Sequence, residues 1–202
     1  VVASGLGRLV VAVSVNGGDL SRAVEDLYEA NWGRPSSRAR FEVEGLSIEV
    51  LTWRPAENPE GVALYATVGA SEKTLPGHDS THRMEFFIGL LPGRDEVAGP
   101  LAALGLYSAR EGVALDHGHT VPSDTPLWPG CRMSSLLVIR TRDDYLRALE
   151  LPRGLHVEFL QAIPIYDSER SFKHRYGTDA LLELWESAGV PFWNPERAPY
   201  PT

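Results

Sequence analysis

Residues 155–165 carry Leu155, Val157, Phe159, Leu160, Ala162, Ile163 and Ile165, so the segment is apolar on both faces of an alternating pattern. A strand buries both faces only inside a sheet that is itself covered on both sides. The segment therefore predicts a central strand, with strands beside it and layers above and below.

The rest of the chain supplies those neighbours in the order helix, strands, helix, strands, helices. Leu20, Val24, Leu27 and Tyr28 recur at helical spacing over residues 19–31, with Asp19 as an N-cap and Gly33 and Pro35 as stops. Phe41, Val43, Leu46, Ile48 and Val50 then alternate with polar residues, which predicts a half-buried strand interrupted at Gly45. Residues 62–68 read as its antiparallel partner, and residues 82–91 as a further strand with Met84, Phe86, Ile88 and Leu90 on one face. Glu85 falls on the opposite face, and a buried carboxylate there predicts a pairing with Arg83 or a cross-strand base. A helix over residues 94–108 contains Pro100 as a kink or as part of its first turn. Residues 111–132 read as loop and residues 133–140 as a short apolar strand. Two helices close the pattern, with Asp167 and Thr178 as caps and Gly177, Gly189 and Pro191 as breaks. Gly contributes 19 residues and Pro 15, together about 17 % against about 12 % in average usage, which favours sheet-rich folds over a helical bundle.

These elements predict an α+β (mixed α/β) fold: a single domain with a largely antiparallel central sheet flanked by helices. Its extent is residues 19–197. Residues 1–18 read as a lead-in outside it, because a weak n-region and no cleavage site make them a poor signal peptide. Residues 198–202 form a proline-rich tail.

At 202 residues and 22.2 kDa, a single domain can bury about 70 % of its unfolded surface without staples. The one cysteine, Cys131, rules out an internal disulfide framework and fits a reducing compartment, so a cytoplasmic location is expected. No apolar run is long enough to span a bilayer. A net charge of −8 opposes sequence-independent binding to nucleic-acid backbones. No nucleophile elbow, zinc-protease helix or phosphate loop occurs, and Gly5-Leu6-Gly7 lacks the third glycine of a dinucleotide loop.

Three local features invite chemistry. His78, Asp79 and His82 lie in one polar loop, and Asp116, His117 and His119 in another. If the loops meet, they could hold zinc or manganese, although solvated loop histidines explain the same residues more simply. Cys131, between Gly130 and Arg132, reads as a packed core cysteine. Trp128, flanked by Pro126 and Pro129, is either a lid over the core or an exposed anchor for a partner.

Residues 155–185 combine a central strand ending in Ile163-Pro164-Ile165, the acidic turn Asp167-Ser168-Glu169, Phe172, Gly177 and Ala180-Leu181-Leu182. Upstream stand Ala66-Thr67-Val68-Gly69-Ala70-Ser71, His82-Arg83-Met84-Glu85-Phe86, His119-Thr120-Val121-Pro122 and the strand over residues 134–138. In order and spacing these motifs resemble the Suppressor-of-fused family in its bacterial single-domain form, over residues 20–197. The resemblance implies a protein-binding fold and no enzyme. Animal members have an additional C-terminal lobe and clasp a short transcription-factor peptide between lobes, an arrangement that does not carry over to this chain. Bacterial members are associated with polymorphic-toxin systems, where many are proposed immunity proteins.

The expected function is thus a non-enzymatic interaction domain that binds a protein partner, a cognate toxin, and needs no cofactor. The alternatives are a metal-dependent hydrolase using the His/Asp loops and a cytoplasmic regulatory or scaffold domain. Expected partner contacts are Glu72 and Asp79 in one loop, His119 and Trp128 in the other, and Asp167 and Glu169 in the acidic turn. Nothing in the sequence sets the oligomeric state.

Overall fold

A computed structural model describes residues 17–74, 81–141 and 145–201. Helix α1 (Gly17–Trp32) buries Leu20, Val24, Tyr28 and Trp32, the stripe its spacing predicts. It starts two residues before Asp19, which therefore sits inside the first turn and is not the cap. Strands β1 (Ser37–Val43) and β2 (Leu46–Trp53) form an antiparallel hairpin where the sequence reads as one interrupted strand. Glu44 at φ 54° and Gly45 at φ 79° make the two-residue turn between them. Left-handed geometry at both positions matches the twist of the flanking strands.

Strand β3 (Ala63–Val68) pairs antiparallel with β2 and with β4 (His82–Leu90). Helix α2 (Ala98–Glu111) follows a short 3-10 turn and holds Pro100 in its first turn, where a missing N–H leaves no helical bond unmade. Strand β5 (Thr120–Pro122) lies in the stretch that reads as loop, since three residues are too few to show a period. Strands β6 (Ser135–Arg140), β7 (Leu149–Glu150) and β8 (His156–Ile165) complete the sheet. Helices α3 (Asp167–Tyr176) and α4 (Thr178–Ala188) follow.

The sheet runs β1-β2-β3-β4-β8-β6-β5, with β7 paired to β8 off this path. Strand β8 is interior, parallel to β4 and antiparallel to β6, and all the other pairs are antiparallel. The fold is therefore the expected α+β arrangement around a largely antiparallel sheet.

Helix α2 and the 111–133 segment cover one face. There Ile48, Tyr65, Met84, Phe86, Ile88, Leu101, Leu104, Val138 and Leu160 form the largest cluster. The other face is covered in two separate places. Helix α1 packs on Leu51, Trp53, Leu64, Phe87 and Phe159, while α4 packs on Leu137, Ile139, Ile163 and Ile165.

Two further caps differ from expectation. Asp167 and Thr178 are the first helical residues of α3 and α4, and Tyr166 and Gly177 hold the cap positions. Glu169 instead reaches back, and its Oε2 accepts the Tyr166 N–H at 2.9 Å. The chain end docks on the same carboxylate. Arg197 and Glu169 form a fully buried ion pair, Arg197 Nη2 donating to Oε2 at 2.8 Å, and the Tyr200 N–H donates to Oε1 at 3.0 Å. The Arg197 guanidinium lies over Tyr166 and Trp185, 5.2 and 5.1 Å from the ring centroids.

Candidate functional site

Two of the sequence motifs turn out to be one buried unit. Glu85 on β4 has no exposed surface. Its carboxylate accepts the Thr67 hydroxyl at 2.6 Å, the Ser71 hydroxyl at 2.7 Å, and the N–H groups of Gly69 and Ser71 at 2.9 Å each. Gly69, at φ 108°, bends the chain so that two backbone N–H groups face one oxygen. These four donors are uncharged, so the expected pairing with a base is replaced by a cradle of amides and hydroxyls. Burial raises the Glu85 pKa, the four hydrogen bonds lower it, and burial prevails, leaving it at about 6. Met84 and Phe86 are buried on the opposite face, as the alternation requires.

His82, at the start of β4, is linked to the 116–119 loop through Glu158 and Arg140. His82 Nδ1 lies 2.7 Å from His156 Nε2 on the neighbouring parallel strand, and His82 Nε2 is 3.7 Å from Glu158. Glu158 accepts Arg140 Nε at 2.6 Å, and Arg140 Nη2 donates to Asp116 at 2.8 Å. His117 accepts the Arg140 N–H at Nδ1 (3.2 Å), with Nε2 3.3 Å from Asp179. His119 Nδ1 accepts the Asp116 N–H at 3.0 Å.

Both ring nitrogens of His82 and of His117 are thus engaged by protein groups, and His119 has only Nε2 left over. Among the described residues no three His, Cys, Asp or Glu side chains converge on a metal position. His82 and the Asp116, His117 and His119 loop are joined through Glu158 and Arg140 and do not themselves converge on one position. His78 and Asp79 lie outside the described residues.

The remaining expected contacts fall in different places. Trp128 is 6 % exposed and packs into the α2-side core, so of the two readings it is the lid. Glu169 is fully buried by Arg197 and unavailable to a partner at the surface. Asp167 is exposed, accepting the Ser134 hydroxyl at 2.9 Å and facing Arg170 at 3.2 Å. Glu72 is exposed and accepts the Ser21 hydroxyl at 2.7 Å, tying the loop after β3 to α1. His119 is exposed beside the edge strand β5. Cys131 is buried, and burial pushes its thiol above the ordinary range, away from nucleophilic use.

Sequence reasoning missed one concave surface among the described residues. Beside α4, over the ends of β3, β4, β6 and β8, lies a groove of about 780 Å³. Its floor holds Leu64, Phe87, Gly89, Gln161 and Ile139, and Tyr145, Leu182 and Trp193 stand at its sides. Two residues signal it. Along the α1/α4 face of β8, Val157, Phe159, Ile163 and Ile165 are apolar and Gln161 alone is polar. In β4, Gly89 brings no side chain at all.

A sheet of this order, covered by α2 on one face and by α1 and α4 on the other, is a Suppressor-of-fused fold. The Suppressor of fused protein (SUFU) family matches residues 43–198, and the chain belongs to that family. A solved Suppressor-of-fused homologue from Neisseria gonorrhoeae is 20 % identical with a TM-score of 0.69, covering 90 % of this chain and 97 % of its own. The chain solved in the Sufu-Fu complex is 18 % identical with a TM-score of 0.64, covering 90 % of each. Drosophila Suppressor of Fused is 19 % identical with a TM-score of 0.64, and the match spans 88 % of this chain but 49 % of that one. No curated protein gives a significant match. Among the described residues no helix is long and apolar enough to cross a membrane.

Proposed function

We propose that this chain is a non-enzymatic protein-interaction domain that works as a cytoplasmic immunity protein, neutralising a toxin by occupying its surface. The observation that carries the reading is the Suppressor-of-fused fold, one of whose solved examples was determined in the Sufu-Fu complex. The charge agrees with it: a domain at −8 is suited to a basic surface such as that of a nucleic-acid-cleaving toxin. The chemistry agrees as well. Among the described residues the buried carboxylates Glu85 and Glu169 are held by internal donors, and burial favours the protonated form of the Cys131 thiol. Recognition falls to exposed elements on this rigid frame: the loop after β3 with Glu72, the 116–131 loop with His119, and Asp167.

The test begins with the neighbouring genes: a toxin encoded there is co-expressed with this chain. Cells carrying the toxin grow when this chain is present, and the two purified proteins form a complex that leaves the toxin chemically unchanged. Protection without a complex, or with covalent alteration of the toxin, would contradict the reading.

A further inference from the structure

The two edges of the sheet are finished differently. At one, β5 is three residues long and includes Pro122, which brings no N–H to a neighbouring strand. At the other, β1 runs seven residues without a proline, and no strand lies on its outer side among the described residues. The hairpin decides which backbone groups of β1 are free. Across a two-residue turn the flanking residues, here Val43 and Leu46, exchange both of their backbone bonds, and such pairs alternate along the ladder with unbonded ones. Ser37, Ala39, Phe41 and Val43 therefore bond to β2, and the N–H and C=O groups of Arg38, Arg40 and Glu42 point outward. The rim is open: Arg38, Arg40 and Glu42 are exposed, while Phe41 and Val43 are half-buried against the α2-side core.

Charged side chains on an edge strand ordinarily keep other strands away. In β1 their order admits one partner. Residues 38–44 read Arg-Ala-Arg-Phe-Glu-Val-Glu, so a half-turn about Phe41 exchanges every base with an acid and Ala39 with Val43. Two copies laid antiparallel about that axis set Arg40 opposite Glu42 and Arg38 opposite Glu44, each twice. Arg40 and Glu42 are both outward-bonding residues, so their two pairs exchange about four N–H···O bonds. The two Phe41 side chains fall at the closer, unbonded position, where an aromatic pair is favourable. A slip of two residues either way puts Arg40 opposite Arg40 or Glu42 opposite Glu42, and like charges directly opposite are unfavourable. Arg38 is already held by Glu25 and Glu49, and Glu44 by Arg110. The recognising charges are therefore Arg40 and Glu42, whose one ion pair among the described residues is with each other, at 3.2 Å along the strand.

We infer that β1 pairs with β1 of a second copy of this chain, joining the two sheets through a twofold axis at Phe41. A strand-edge contact is small beside a standard interface, so the dimer is weak and reversible. The inference stands on β1 alone and does not depend on the toxin reading.

Sedimentation equilibrium of the full chain tests it, over about 1 to about 500 µM, a range suited to a small contact. The weight-average mass should rise from 22.2 kDa towards twice that value. Arg40→Glu sets acid against acid at both symmetry-related pairs, and Glu42→Arg sets base against base. Each alone should weaken association about tenfold or more, and each keeps the melting temperature of wild type because both side chains are exposed. An equimolar mixture of the two variants should dimerise again, since the mixed pair sets an acid opposite every base. Both variants remain net negative, so attraction between bulk charges does not produce that rescue. Phe41→Cys should link two copies by a disulfide under mild oxidation, because unbonded antiparallel pairs bring their Cα atoms within disulfide reach and Cys131 is buried.

A chain that stays monomeric throughout the range would overturn the inference. So would a dimer indifferent to both charge variants, or variants that fail to pair when mixed.

Discussion

Glu85 shows how one side chain reports on the fold through pH. Its folded pKa of about 6 lies above the ordinary 4.5, so the native state holds the proton more tightly than the unfolded chain does. That stabilisation is complete below about pH 4.5 and is lost as pH rises through about 6, a change of about 2 kcal/mol. Glu85→Gln, which cannot titrate, should lack the loss. Denaturant unfolding at pH 4 and pH 7 should therefore show the stability of wild type relative to Glu85→Gln falling by about 2 kcal/mol at the higher pH. A constant difference would mean that the cradle of Thr67, Gly69 and Ser71 offsets burial completely. Trp128 gives a second residue-level expectation. As a buried lid, Trp128→Ala should destabilise the fold by about 3–5 kcal/mol in urea unfolding. A change below about 1 kcal/mol, with weakened partner binding, would restore the anchor reading.

Among the elements, the C-terminal segment is held by one buried ion pair. Arg197→Ala leaves the Glu169 carboxylate buried without its charge partner, a change that in comparable pairs destabilises by about 3–5 kcal/mol. Tyr200 should detach with it, since its N–H rests on Glu169 and its carbonyl on Trp185. Limited proteolysis should then cut the segment after Trp193 in the variant but not in wild type. Equal resistance would show that the apolar contacts of Trp185 and Phe192 suffice.

The same elements show what a sequence can display. Strands β3, β4 and β8 and helices α1 and α4 were legible because burial on one or two faces writes a period into the residues. The β1–β2 hairpin was hidden because the one-residue phase change between Val43 and Leu46 reads as well as a bulge at Gly45 within a single strand. The cradle around Glu85 was half legible: Gly69-Ala70-Ser71 and Glu85 were singled out, but their meeting depends on the β3–β4 pairing. Glu169 read as a surface acid because its partner Arg197 lies far along the chain, and only packing brings the two together.

For the whole molecule, the Suppressor-of-fused fold forms an acidic frame at a net charge of −8 and supports a protein-interaction domain. The frame is covered on one face by α2 and on the other by α1 and α4. Its charge should govern how fast it meets a basic partner more than how long it stays.

The most direct measurement is a titration of the purified chain with a purified candidate cognate toxin, at low and at physiological salt. The account predicts a stoichiometric complex that abolishes toxin activity while both chains keep their masses, with an association rate that falls about tenfold or more as salt is raised. A toxin inactivated by substoichiometric amounts of this chain, or left fully active when it is in excess, would contradict the account.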